Sequence, residues 1–282
     1  MNRNSKYPQL PGPIGIFDSG YGGLTILRQI RSLMPQYDYL YLGDNARAPY
    51  GTRSFDIVYE FTLQAVRYLF GQGCHLVILG CNTASAKALR SIQQNDLPKL
   101  DPQRRVLGVI RPTVEVVGSI SQSRHVGIMA TLGTIRSVTY ELEIAKLYPD
   151  MQVTGEACPM WVPLVENDEY DSPGADYFVK KNIGNLLGRD PQIDSVILGC
   201  THYPLLLNKI QKYMPPGIHI IEQGYYVANS LQDYLSRHPE MVERITNGGT
   251  TRFLTTEQAE AFQYKATVFM GERLTAERVY LE

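Results

Sequence analysis

Continuous apolar runs alternate along the chain with stretches whose apolar positions recur at helical spacing. Ile14-Gly15-Ile16-Phe17 has no polar position, and after the Gly22-Gly23 turn Leu24, Leu27, Ile30 and Met34 fall on one helical face. The pattern predicts a strand followed by a helix. Further strands are predicted near Tyr39 to Leu42, Leu76 to Leu79, Val106 to Ile110, Val126 to Ala130, Met151 to Thr154, Val196 to Leu198 and Ile218 to Ile221, with amphipathic segments between most of them. Strands that alternate with helices imply parallel sheets covered on both faces, and unbroken Val/Ile/Leu runs suit strands buried on both sides.

The pattern also repeats. Val77-Ile78-Leu79-Gly80-Cys81 returns as Val196-Ile197-Leu198-Gly199-Cys200, each followed closely by a hydroxyl-bearing residue, Thr83 or Thr201. Likewise Ile14-Gly15-Ile16 leads into Asp18-Ser19-Gly20, as Val126-Gly127-Ile128 leads into Ala130-Thr131-Leu132-Gly133-Thr134. An internal duplication is the simplest account. The expected fold is α/β, with two pseudo-symmetric parallel-sheet lobes and the active site in the cleft between them, at the carboxyl ends of the strands. The first half runs to about Arg111, where Pro112 opens the next helix, and the second from there to about Gly217. Linkers near Arg111 and Gly217 would let the lobes close over a ligand.

Composition narrows what that cleft would hold. The 282 residues are 44% apolar and carry 27 basic against 28 acidic groups, a net charge of −1 with no basic run. Nothing here marks a nucleic-acid or membrane-surface binder, so a small-molecule ligand is expected. Met1 to Pro13 is polar and Pro-rich, without the apolar core of a signal peptide, and no stretch approaches the roughly 18 apolar residues of a membrane-spanning helix. The expected location is the cytoplasm, with Cys74, Cys81, Cys158 and Cys200 as reduced thiols. No C-x-x-C pair occurs, so no metal is expected. Gly20-Tyr21-Gly22-Gly23 lacks nucleotide-binding spacing and reads as a tight turn with close backbone approach to the ligand.

Two thiols entering one cleft from equivalent positions suggest a particular chemistry. Inverting a carbon that bears hydrogen requires one group to remove the proton from one face and another, already protonated, to deliver a proton to the opposite face. The reverse reaction exchanges the roles. A thiol of pKa about 8.5, lowered at a helix N-terminus or beside a cation, can act either way. Other readings are a cysteine hydrolase, in which one thiol is the nucleophile and a histidine the base, and a non-enzymatic two-lobed binding protein.

Several blocks resemble the glutamate racemases in order and spacing. They are Phe17-Asp18-Ser19-Gly20-Tyr21-Gly22-Gly23-Leu24, Gly43-Asp44 through Ala48-Pro49-Tyr50-Gly51, Gly80-Cys81-Asn82-Thr83-Ala84-Ser85-Ala86, Ala157-Cys158-Pro159 through Val162-Pro163-Leu164-Val165-Glu166, and Leu198-Gly199-Cys200-Thr201-His202-Tyr203-Pro204. The resemblance implies cofactor-independent interconversion of L- and D-glutamate, supplying D-glutamate for peptidoglycan. A sibling racemase acting on aspartate is the nearest alternative. By the same resemblance Cys81 is the base acting on D-glutamate and Cys200 the base acting on L-glutamate. His202 would tune Cys200, with Asp18 the auxiliary acid near Cys81 and Glu166 that on the Cys200 side. Asp18, Ser19, Pro49, Tyr50, Gly51, Asn82, Thr83, Thr131, Thr201 and His202 would contact substrate, with Thr134 a weaker candidate. Cys74 and Cys158 read as structural. Residues 218–282 would return to the first lobe (1–111, carrying Cys81), leaving 112–217 as the lobe that carries Cys200. A homodimer is expected. The short Met1 to Gly12 lead argues against regulation by a cell-wall precursor. Ile221-Glu222-Gln223-Gly224-Tyr225-Tyr226 departs from the acidic, alanine-rich turn of many relatives.

Overall fold

The computed structural model describes residues 6–281; the first five residues of the polar lead lie outside the described residues. Among the described residues, ten strands form two sheets. In chain order they are β1 (Ile14–Asp18), β2 (Tyr39–Gly43), β3 (Leu76–Leu79), β4 (Arg105–Gly108), β5 (His125–Ala130), β6 (Gln152–Ala157), β7 (Ser195–Gly199), β8 (His219–Ile221), β9 (Thr251–Thr255) and β10 (Ala276–Arg278). The sheets run β10-β9-β2-β1-β3-β4 and β6-β5-β7-β8, and every pairing is parallel.

The two orders share one plan. β5, β6, β7 and β8 stand to one another as β1, β2, β3 and β4 do, so the first sheet is the second with two strands added at its β2 edge. Each V-I-L-G-C run supplies the third strand of its unit and leaves its cysteine just past the carboxyl end. β1, β2, β3 and β7 are buried at every position, which is why their sequences carry no polar alternation. The helix Gly23–Leu33 buries Leu24, Leu27 and Ile30 and packs on the helix Gln223–Arg237, which also touches the helix Ile110–Ile120. Gln223–Arg237 therefore sits where the halves meet.

Several boundaries differ from expectation. The strand expected over Val106 to Ile110 ends at Gly108, because Ile110 already opens a helix; that helix runs through Arg111 and Pro112, so no flexible linker stands there. Pro112 is tolerated in the first turn, where backbone N–H groups have no helical acceptor. The strand expected over Met151 to Thr154 continues to Ala157. β8 stays in the second sheet, so the chain crosses back after Ile221 and not after Gly217. β9 and β10 then extend the first sheet, and neither strand was foreseen.

Candidate active site

The strand ends converge on a cavity of about 110 Å3 lined by Ser19, Pro49, Tyr50, Gly51, Cys81, Asn82, Thr83, Thr131, Glu166, Cys200, Thr201 and His202, with Cys158 in its wall. A larger open groove of about 960 Å3 beside Arg28 and Arg273 holds no nucleophile, so volume alone does not locate the chemistry. Of the candidate site residues, Asp18 and Thr134 are absent from the cavity lining. Asp18 ends β1 with 1% exposure, beneath the wall.

Cys81 caps the helix Asn82–Lys87: its Sγ accepts the Ala84 N–H at 3.4 Å, and Ser19 Oγ lies 3.3 Å away. These contacts favour a thiolate, but burial and the nearby Asp18 charge outweigh them and push the thiol up to about 12. At this helix N-terminus burial therefore outweighs the backbone dipole. Asp18 is raised as well, by burial first, with the His202 charge and the Gly20 N–H donated to Oδ2 at 2.8 Å working against it.

The Cys200 side is built differently. Cys200 Sγ lies 3.8 Å from His202 Nδ1, and His202 Nε2 lies 3.0 Å from Glu166 Oε1. Burial alone would lower the imidazole, yet the hydrogen bonds and charges of Cys200 and Glu166 lift it to about 10. Burial would raise Glu166, but His202 and the Lys265 charge hold it below the ordinary carboxylate value. At neutral pH the histidine is a cation between a carboxylate and a sulfur.

This pair links stability to pH. His202 has a folded pKa above its ordinary 6.5, so its contribution is complete below about pH 6.5 and is lost as pH rises through about 10. Denaturant unfolding is expected to show a loss on the order of a few kcal/mol over that window, flattened in His202→Asn.

Other expected contacts are partly engaged elsewhere. Tyr50 donates its hydroxyl to Asp44, and the Gly51 carbonyl accepts the Gly133 N–H at 2.8 Å across the lobes, leaving the ring and remaining backbone to face the cavity. Thr83 Oγ1 lies 3.0 Å from Thr131 Oγ1 and 3.3 Å from Thr134 Oγ1, a hydroxyl cluster shared by both lobes. The Thr201 carbonyl accepts from Thr25 Oγ1 at 3.1 Å. Asn82 Oδ1 accepts the Tyr140 hydroxyl at 2.8 Å, and its Nδ2 donates to Gln223 Oε1 at 2.5 Å.

Sequence reasoning missed three features. Cys158, expected to lie apart, borders the cavity, its thiol held well above the ordinary value by burial and by the neighbouring Glu156 and Cys200 charges. Tyr140 carried no motif signal, and Gln223 stood out only as a departure from pattern. Gly22 serves a purpose other than ligand approach: a Cβ there would collide with Thr201 Oγ1 and His202 Nδ1. Gly22→Ala is expected to destabilise by about 1–3 kcal/mol and lower kcat roughly tenfold, measured by thermal melts and steady-state kinetics. Unchanged values would show that Thr201 and His202 relax freely.

Two α/β lobes of one plan each deliver one thiol from an equivalent strand end to a shared cavity. The model for Asp/Glu/hydantoin racemases matches residues 24–228. A glutamate racemase of Ruegeria sp. is 40% identical over 94% of this chain and 98% of that protein, and one of Paracoccus denitrificans is 41% identical over 91% and 96%. The crystal structure of glutamate racemase RacE1 of Bacillus anthracis, 32% identical, superposes with a TM-score of 0.87 over 96% of this chain and 98% of its own. That of Francisella tularensis glutamate racemase in complex with D-glutamate, 30% identical, gives 0.86 over the same shares. The chain belongs to the Asp/Glu/hydantoin racemase family. An aspartate racemase of Picrophilus torridus, 16% identical with a TM-score of 0.52, shares the fold alone.

Proposed function

We propose that the protein racemises glutamate without a cofactor, Cys81 and Cys200 serving as the two acid/base groups. The observation that carries this reading is the pair of thiols leaving β3 and β7 for one cavity. In the L to D direction Cys200 thiolate takes the α-proton and Cys81, held as a thiol, returns its own proton to the opposite face; D to L exchanges the roles. His202, cationic at neutral pH, pairs with a Cys200 thiolate, and Glu166 holds that cation in place. Asp18, buried with its carboxyl raised by that burial, is placed to answer the positive charge of the substrate ammonium. The turns that open the helices Asn82–Lys87 and Leu132–Arg136 border the cavity, where Ser19, Thr83, Thr131 and Thr201 offer hydroxyl partners for the substrate carboxylates. A polar zwitterion in a small, closed cavity leaves little room for water, so those fixed dipoles stabilise the carbanion directly.

The reading extends to D-glutamate supply for peptidoglycan in the cytoplasm, and to a homodimer, which sedimentation checks. Among the described residues no helix is long and apolar enough to cross a membrane. The deciding experiment incubates the protein with L-glutamate in D2O, following optical rotation and the α-proton signal. Rotation decaying to zero as deuterium enters supports the reading. Steady glutamate signals with decaying aspartate would move the assignment to the sibling substrate.

A further inference from the structure

Behind the cavity, four side chains from four helices form a buried polar cluster. Gln223 opens the helix Gln223–Arg237 and Asn82 opens Asn82–Lys87, while Thr113 lies in Ile110–Ile120 and Tyr140 in Thr139–Leu147. None is more than 3% exposed. Gln223 Nε2 donates to Tyr140 Oη at 2.8 Å, to Thr113 Oγ1 at 3.1 Å, to Asn82 Oδ1 at 3.2 Å and to the Val109 carbonyl at 3.3 Å, its two hydrogens shared among them. Its Oε1 accepts from Asn82 Nδ2 at 2.5 Å, and Tyr140 Oη donates to Asn82 Oδ1 at 2.8 Å.

The ends of this cluster are what give it meaning. Asn82 directly follows Cys81. At the other end, Tyr140 Cε2 stands 3.2 Å from the place a Cβ on Gly199 would occupy, and Gly199 directly precedes Cys200. A continuous path of hydrogen bonds and packing thus runs from one thiol's neighbour to the other's, through the first residue of the helix that carries the chain back. A satisfied buried network of this kind is rigid, because any displacement leaves polar groups unpaired in a low-dielectric interior.

Resting on the two-thiol reading, we infer that Gln223 is a positioning residue that sets the separation of Cys81 and Cys200, acting through Asn82 on one side and Tyr140 on the other. A two-base reaction depends on that separation more than on any single group, since both sulfurs must reach the same α-carbon from opposite faces. Neither Gln223 nor Tyr140 lines the substrate cavity, so their effect reaches the reaction without touching the substrate.

Gln223→Met keeps the length of the side chain and removes its hydrogen bonds. It is expected to lower kcat about 30- to 100-fold with KM within about threefold, since displacing reacting groups by an ångström weakens catalysis on that scale. Tyr140→Phe should have a smaller effect in the same sense, and the double variant should be no worse than Gln223→Met alone, because both act through one unit. Wild-type kcat in folded Gln223→Met, with only its melting temperature reduced, would overturn the inference. A bifunctional thiol reagent of fixed span, mapped by peptide mass spectrometry, reads the spacing without any substrate. The Cys81–Cys200 bridge should form in the wild type and fall about tenfold in yield in Gln223→Met, while each thiol still takes a single label. Equal bridging overturns the inference even if glutamate proves the wrong substrate, and Tyr140→Phe carries the same comparison if Gln223→Met does not fold.

Discussion

Cys81→Ala and Cys200→Ala are each expected to lower kcat/KM by about 10⁴-fold, the scale on which a positioned acid/base group contributes. The loss must be equal in the two directions, whichever thiol is removed. L- and D-glutamate have the same free energy, so the ratio of the two kcat/KM values is fixed at one for every variant. The individual faces are separated by exchange. With Cys200 gone, Cys81 can still take the α-proton of D-glutamate and, after exchange with solvent, return a deuteron to the same face. Cys200→Ala is therefore expected to deuterate D-glutamate with retention and leave L-glutamate untouched, and Cys81→Ala to do the reverse, both read by NMR in D2O. Serine variants control for packing: Cys81→Ser keeps an acceptor for the Ala84 N–H and a partner for Ser19, yet its hydroxyl is far too weak an acid to serve. A cysteine hydrolase predicts a different pattern, in which one thiol is dispensable. Racemisation retained by either alanine variant above about one part in a hundred would sink the two-base mechanism.

The duplication was legible because it is written in the densest part of the fold. β3 and β7 are buried on both faces, so their apolar runs cannot drift without leaving the core, and the glycine and cysteine that follow mark equivalent places in two sheets of one order. The C-terminal strands were invisible for the opposite reason. β9 and β10 have five and three residues and include Thr, Arg and Glu at partly exposed positions, so neither period nor hydrophobicity distinguishes them from loop.

The asymmetry of the site was also beyond a reading of repeats. β1 and β5 are equivalent, but Asp18 ends one where Ala130 ends the other; Cys81 is followed two residues on by Thr83, and Cys200 by His202. One thiol is thus kept protonated beside a buried carboxyl group and the other faces a cation. A motif names these residues without saying which direction each neighbour pushes, because that depends on burial and on charges from distant segments.

That asymmetry makes His202 the second large effect. His202→Asn is expected to lower kcat by about 10²- to 10³-fold. The imidazole offers Nδ1 to Cys200 at 3.8 Å and Nε2 to Glu166 at 3.0 Å, and it keeps its proton up to about pH 10. Asparagine preserves polarity but brings no charge, so a Cys200 thiolate would sit buried without a counter-ion, and Glu166 would lose the partner that holds it ionised. Glu166→Gln gives the graded case. It leaves the imidazole beside Cys200 but removes the charge that supports its proton, so the His202 pKa falls from about 10 toward its ordinary 6.5. Because the protonated form is the working one, the alkaline limb of the rate profile should move down toward neutral pH, with a loss of only about tenfold below it. If His202→Asn kept kcat within about threefold of wild type, the imidazole would be a packing element and not the counter-ion of the Cys200 sulfur.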